Sequence, residues 1–119
     1  FFIKGLVVKG NHIGTNLGFK TINIKYPENI IKLPYGVYCT LCETEGKTYK
    51  SVTNWGVKPT VNSKNMPVAE THIINFDGNL YDKTAKVIFL EKIRDEKKFD
   101  TLDELKIQIQ KDIKFSLYY

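Results

Sequence analysis

Short apolar runs broken by turn residues fill the chain as far as Ile93, and the pattern changes character only near its end. Phe2 to Lys9 reads as a strand. A loop from Gly10 to Gly18 follows, then a short second strand from Lys20 to Lys25. Pro27 to Pro34 is irregular, with turn residues at both ends. Gly36 to Glu43 is β-branched and aromatic, which suits a pleated, half-buried surface. Glu45-Gly46 predicts a tight hairpin into a strand over Lys47–Asn54. Gly56 to Met66 is rich in glycine, proline, asparagine and serine and is expected to be a loop. Val68 to Phe76 is the next strand, Asp77-Gly78-Asn79 a turn. Lys83 to Ile93 is apolar on both faces, through Val87 and Phe89 on one and Ile88 and Leu90 on the other, and so is expected to be a central strand.

At Thr101 the period becomes helical. Thr101-Leu-Asp-Glu104 has the form of a capping box, and Leu102, Leu105, Ile109 and Ile113 then recur at spacings of three and four. About six strands and one amphipathic helix in 119 residues suit one domain with one core. The expected fold is mainly β: a six-stranded antiparallel closed barrel, because closure removes exposed strand edges, with the C-terminal helix over one opening or one face.

Charge narrows the partners. The net charge of +5 favours anionic ligands such as nucleotides or RNA. Yet the 18 basic residues are scattered, and Arg94 is the one arginine among them, whereas dedicated nucleic-acid binders cluster arginine in a patch. No apolar run approaches membrane-spanning length, so no membrane partner is expected. Cys39 and Cys42 lie three apart in one strand, on opposite faces, where they do not bridge. Only His12 and His72 are available to complete a zinc site with them. Two free thiols fit a reducing, cytoplasmic setting.

Four stretches are candidates for chemistry. In Gly14-Thr-Asn-Leu-Gly-Phe-Lys-Thr-Ile-Asn23, the strand period puts Thr21 and Asn23 on one face, two hard oxygen ligands of the kind Mg²⁺ accepts. A glycine turn followed by a polar strand face explains the same residues. In Glu70-Thr-His72, alternation places Glu70, His72, Ile74 and Phe76 on one face. Glu70 is then either a solvated or ion-paired carboxylate or a general base that takes a proton from a substrate hydroxyl. Arg94, Lys97 and Phe99 offer a guanidinium, an ammonium and a ring within six residues, either a clasp for a planar ligand or a solvated loop. Asn54-Trp-Gly-Val-Lys-Pro-Thr60 reads as a loop with a packed tryptophan. Neither a Walker-type phosphate loop, nor a dinucleotide glycine fingerprint, nor a nucleophile elbow occurs.

Taken in order, these stretches resemble the riboflavin kinase (flavokinase) family, including the kinase module of bacterial bifunctional riboflavin kinase/FMN adenylyltransferase. Leu17-Gly-Phe-Lys-Thr-Ile-Asn23 is similar to the family's L-G-F-P-T-A-N, and Leu33-Pro-Tyr-Gly-Val-Tyr38 to L-P-x-G-V-Y. Asn54 to Thr60 resembles N-I-G-x-x-P-T, Glu70 to Phe76 resembles E-x-H-I-x-x-F, and Ile93-Arg94 with Phe99 resembles I-R-x-E-x-x-F. The opening Val7-Val-Lys-Gly10 fits as well.

The resemblance implies a six-stranded antiparallel barrel with a C-terminal helix. It implies ATP and riboflavin as substrates, FMN and ADP as products, and Mg²⁺ as the metal. Thr21 and Asn23 would hold the metal and the ATP phosphates. Gly10 and Thr15 would line the nucleotide loop, with Ile73, Asn75 and Tyr81 nearby. Glu70 would activate the ribityl hydroxyl, and Arg94, Lys97 and Phe99 would hold the flavin. Residues 1–119 would be the kinase domain of a longer chain whose N-terminal part is an FMN adenylyltransferase. The chain departs from the family at Lys20 (for Pro), Ile22 (for Ala) and Thr15 (for a basic residue). The alternatives are a flavin-binding module with weakened catalysis, or a small basic barrel that binds single-stranded RNA.

Overall fold

The structure is a computed structural model that describes residues 1–8, 21–25, 33–57, 67–76 and 78–119. Its strands are β1 (Phe2–Val8), β2 (Thr21–Lys25), β3 (Gly36–Thr44), β4 (Lys47–Val57), β5 (Pro67–Ile73) and β6 (Thr84–Arg94), followed by helix α1 (Leu102–Tyr118). They form a closed antiparallel barrel in the order β1-β2-β5-β4-β3-β6. The mainly β barrel with a terminal helix is therefore the observed fold.

The β3–β4 hairpin turns on Glu45 and Gly46, with φ of 51° and 75°. Positive φ at both central residues is the geometry whose twist matches the flanking strands. β6 is paired on both sides, with β1 and β3, as its two apolar faces suggest. Its register against β3 slips twice, between Val37 and Tyr38 and between Cys39 and Thr40, and such bulges bend a strand around a barrel.

Strand alternation divides the side chains between two cores. Inside the barrel lie Ile3, Val7, Ile24, Tyr38, Cys42, Trp55, Ala69, Ile73, Val87 and Phe89. The Tyr38 and Trp55 rings both meet Phe89 edge-on, with centroids 5.3 and 6.0 Å away. A row of hydroxyls shares this interior: Thr40 hydrogen-bonds Ser51 (2.6 Å) and Thr53 (2.9 Å), and Thr53 bonds Thr71 (2.9 Å). A hydroxyl can both donate and accept, so three bonds join these four side chains in one row.

The second core lies outside the barrel wall, where Val37, Val52 and Ile74 pack with Ile93 and with Ile113 of α1. Cys39 and Cys42 point to opposite sides, the first to Ser116 of α1 (3.2 Å) and the second into the barrel, and both are free thiols. Alternation along β5 holds to Ile74 on the outer wall but ends there. Asn75 takes a φ of 58°, and Phe76 turns back against the inner core, edge-on to Tyr49 at 5.2 Å. Phe76 thus leaves the face on which strand periodicity alone would put it.

Candidate functional site

The register aligns the candidate residues on the outer wall. Asn23 of β2 lies directly opposite Glu70 of β5, and Glu70 lies directly opposite Asn54 of β4. Thr21 lies opposite His72, one step along the same face. Directly opposed residues in antiparallel strands have Cα atoms roughly 4.5–5.5 Å apart, so these side chains form one continuous polar patch. The residues between them, Ile22, Ala69, Thr71 and Trp55, turn inward and fix the barrel side of the same strands.

The patch is shielded and yet polar. Thr21 Oγ1, Asn23 Oδ1 and Asn54 Oδ1 are buried oxygens that have no hydrogen-bond partner among the described residues, and Glu70 Oε2 is buried beside them. A buried oxygen without a donor costs on the order of 1–3 kcal/mol. Three in one patch make it a candidate site for a ligand or metal. Thr21 and Asn23 present hard oxygens on one side of the Glu70 carboxylate, a donor set that fits Mg²⁺. Among the described residues no group of three His, Cys, Asp or Glu side chains could hold a metal by itself. Mg²⁺ commonly keeps waters and takes phosphate oxygens for part of its shell.

Other candidates sort to the two ends of the barrel. Thr21 lies near the C-terminal end of β5, where Ile73 and Asn75 follow. The turn holding Tyr81 is tied to the end of β1 by Asp82 N–H donating to the Val7 carbonyl (3.2 Å) and Val7 N–H donating to the Lys83 carbonyl (2.9 Å). Val8 in turn lies opposite Asn23. The Ile73 side chain points into the barrel, away from Glu70. Gly10 and Thr15, like Lys20 and residues 58–66, lie outside the described residues.

At the other end, Arg94, Lys97 and Phe99 come together. The Phe99 ring lies 5.8 Å from the Arg94 guanidinium and 5.6 Å from Lys97 Nζ. Arg94 is also a structural clamp. Its Nε and Nη2 donate to the Asp112 carboxylate of α1 at 2.9–3.2 Å, and its Nη1 donates to the Asp95 carbonyl (3.1 Å). The segment after Arg94 folds back over β4, because a Cβ on Gly56 would collide with the Glu96 carboxylate. Gly56 stands two residues from Asn54 on the same face, so this segment borders the polar patch.

Sequence reasoning placed Thr21, Asn23 and Glu70 on the right faces but passed over Asn54. The signal was there: Asn54 alternates with Trp55, and a strand carried past Gly56 would have set it opposite the Glu70 strand. No helix among the described residues is long and apolar enough to cross a membrane.

Fold and patch together define a small closed β-barrel domain with a shielded polar patch on its outer wall. The family model described as "Flavokinase: Riboflavin kinase" matches residues 1–118, and the chain belongs to the riboflavin kinase family. It is 36% identical over its whole length to the bifunctional riboflavin kinase/FMN adenylyltransferase of Bacillus subtilis, of which it spans 38%. It is 40% identical, over 93% of its length, to the RNA-binding riboflavin kinase RibR of the same organism, of which it spans 47%. A crystal structure described as a macrolide-efflux protein from Streptococcus pneumoniae superposes with a TM-score of 0.90 at 28% identity, over 99% of this chain and 38% of that one. The chain thus spans less than half of the curated relatives it matches.

Proposed function

We propose that the chain transfers the γ-phosphoryl group of ATP to the ribityl 5′-hydroxyl of riboflavin, forming FMN and ADP. The observation that carries this reading is the row Asn23–Glu70 on the outer wall, with Thr21 beside it, between the Asn75–Tyr81 end and the Arg94–Phe99 end. Family membership supports these substrates, and the two ends suit them: nucleotide toward Thr21, Ile73, Asn75 and Tyr81, flavin toward Arg94, Lys97 and Phe99.

Glu70 is the general base. Its carboxylate takes the hydroxyl proton as the 5′-oxygen bonds to the γ-phosphorus and the bond to the bridging oxygen of ADP breaks. Mg²⁺, held by Thr21 and Asn23, supplies charge compensation on the phosphates when bound. Phe99 and the cations beside it offer a face for the flavin ring, and Arg94 fixes that face by pinning α1 to it. The remaining protein work is alignment, which brings hydroxyl, base and phosphate within reach and is worth several orders of magnitude in rate.

Chromatographic detection of FMN after incubation with riboflavin, ATP and Mg²⁺, against a no-metal control, tests the reaction. Glu70→Gln is expected to lower kcat by roughly 10²–10⁴-fold with riboflavin affinity retained, the usual worth of a positioned base. Turnover within twofold of the parent chain would remove Glu70 from that role.

We propose further that the protein is cytoplasmic and that an FMN adenylyltransferase domain precedes this module, a reading supported by the bifunctional relatives. A second reading, single-stranded RNA binding, is favoured by one surface and by the name of one relative. Lys111, Lys114, Phe115, Tyr118 and Tyr119 line one hollow at the end of α1. Affinity for a single-stranded oligonucleotide that falls steeply with salt would support it, whereas a flavin complex is insensitive to salt.

A further inference from the structure

We propose that Asn54 is a substrate-binding residue of this site, its Oδ1 accepting a hydrogen bond from a hydroxyl of the polyol that Glu70 deprotonates. The inference rests on the riboflavin kinase reading above and extends it to a residue the family resemblance left without a role. Three observations carry it. Asn54 lies directly opposite Glu70 across the β4–β5 ladder, as Asn23 does across the β2–β5 ladder. The carboxylate therefore has an amide side chain on each flank. Asn54 Oδ1 is buried and has no donor among the described residues, the same condition as Thr21 Oγ1 and Asn23 Oδ1. Finally, Asn54 is on the side of Glu70 away from Thr21 and Asn23, and two residues from Gly56, over which the segment leading to Lys97 and Phe99 folds.

These positions divide the labour around the base. Thr21 and Asn23 are hard oxygens on the phosphate side. Asn54 offers an acceptor of the same kind on the flavin side, where the phosphates do not reach. What arrives there under the present reading is the ribityl chain, a run of hydroxyls, and a hydroxyl is the donor that a buried amide oxygen lacks. Neighbouring strands are about 4.8 Å apart, so a group held between Asn54 and Glu70 meets both side chains at once. One polyol hydroxyl on Asn54 would hold the adjacent terminal hydroxyl against Glu70. A site built to bond a substrate hydroxyl strongly rejects an analogue that lacks it, because the buried acceptor is then left empty.

A ligand cycle tests this. Riboflavin and lumiflavin, which has a methyl group in place of the ribityl chain, are titrated by flavin fluorescence against the parent chain and Asn54→Ala. Thermal unfolding of both ligand-free proteins and FMN formation are measured alongside. The expected result is riboflavin affinity at least tenfold weaker in Asn54→Ala, with lumiflavin affinity, ATP affinity and the Mg²⁺ dependence of turnover all within twofold. The unfolding temperature should be unchanged or higher, since Oδ1 makes no hydrogen bond among the described residues. Equal loss for riboflavin and lumiflavin would overturn the proposal, as would a shift in Mg²⁺ dependence, which would move Asn54 to the metal side. A large drop in the ligand-free unfolding temperature would overturn it too, by making the side chain structural. A parent chain that forms no FMN and binds no riboflavin would instead sink the kinase reading itself, and that outcome is visible before any variant is made.

Discussion

Gly56 leaves the outer face of β4 bare, and the Glu96 carboxylate occupies the space a side chain would need. Gly56→Ala should therefore swing Glu96 away and loosen the segment leading to Phe99. The displaced group is the flexible tip of a side chain, so the stability cost should stay below about 1 kcal/mol. The expected outcome is a severalfold higher KM for riboflavin with KM for ATP unchanged, read from steady-state kinetics. The same glycine explains what was hidden in the sequence at this scale. Thr21, Asn23 and Glu70 were legible because each sits inside an alternating run. Asn54 was not, because Gly56 and Pro59 read as the start of a loop, whereas β4 runs on to Val57. Glycine interrupts a strand pattern when its missing side chain is the only clue, and here it is missing because another carboxylate fills the place.

Helix α1 shows the same contrast between elements. Its start was legible: Thr101 Oγ1 accepts from Glu104 N–H (3.1 Å), and the Glu104 carboxylate reaches back to Asp100 N–H (3.2 Å), one residue earlier than the simplest capping box. Its docking was not. The residues it buries most completely are Asp112 and Ser116, not the leucines and isoleucines that mark its apolar stripe, and Leu102 is 62% exposed. A charge on a helix face reads as solvated unless its partner is known, and Arg94 lies in another element, 18 residues earlier. Asp112 is 3% exposed and Arg94 21%, so deleting one partner strands the other in a poorly solvated place. Asp112→Ala should destabilise the fold by about 2–4 kcal/mol in urea unfolding. Adding Arg94→Met to it should restore part of that stability but not riboflavin binding, because the Phe99 wall loses its clamp.

For the whole molecule, closure was legible from strand number and size, but the order of strands was not. β2 pairs with β5 rather than β3, and β3 with β6, partners far apart in sequence. Nor did the pattern announce hydroxyls inside the barrel, since Thr40, Ser51, Thr53 and Thr71 look like surface residues until the ladder joins them. The buried thiols give the molecule an alkaline limit. Burial pushes Cys42 up to about 11 from an ordinary 9.0, with Glu43 adding to it. Burial also raises Cys39 and Tyr38. A raised acid holds its proton longer in the folded state than in the unfolded one, so stability is intact below pH 9 and falls as pH climbs toward 11. Cys42 alone accounts for about 2 kcal/mol of that fall. Urea midpoints measured from pH 7 to 11 should decline only above 9, and Cys42→Val should flatten the decline.

The place of β1 in the barrel has a consequence for how the chain is made. β1 is hydrogen-bonded to β2 on one side and to β6 on the other, with Phe2 opposite Ile88. During synthesis β1 emerges well before its partner β6, and the wall stays open until β6 has left the ribosome. Such long-range closure is slow and leaves an apolar edge uncovered in the meantime. Whatever holds β1 while it waits governs how much of the newly made protein reaches the closed form.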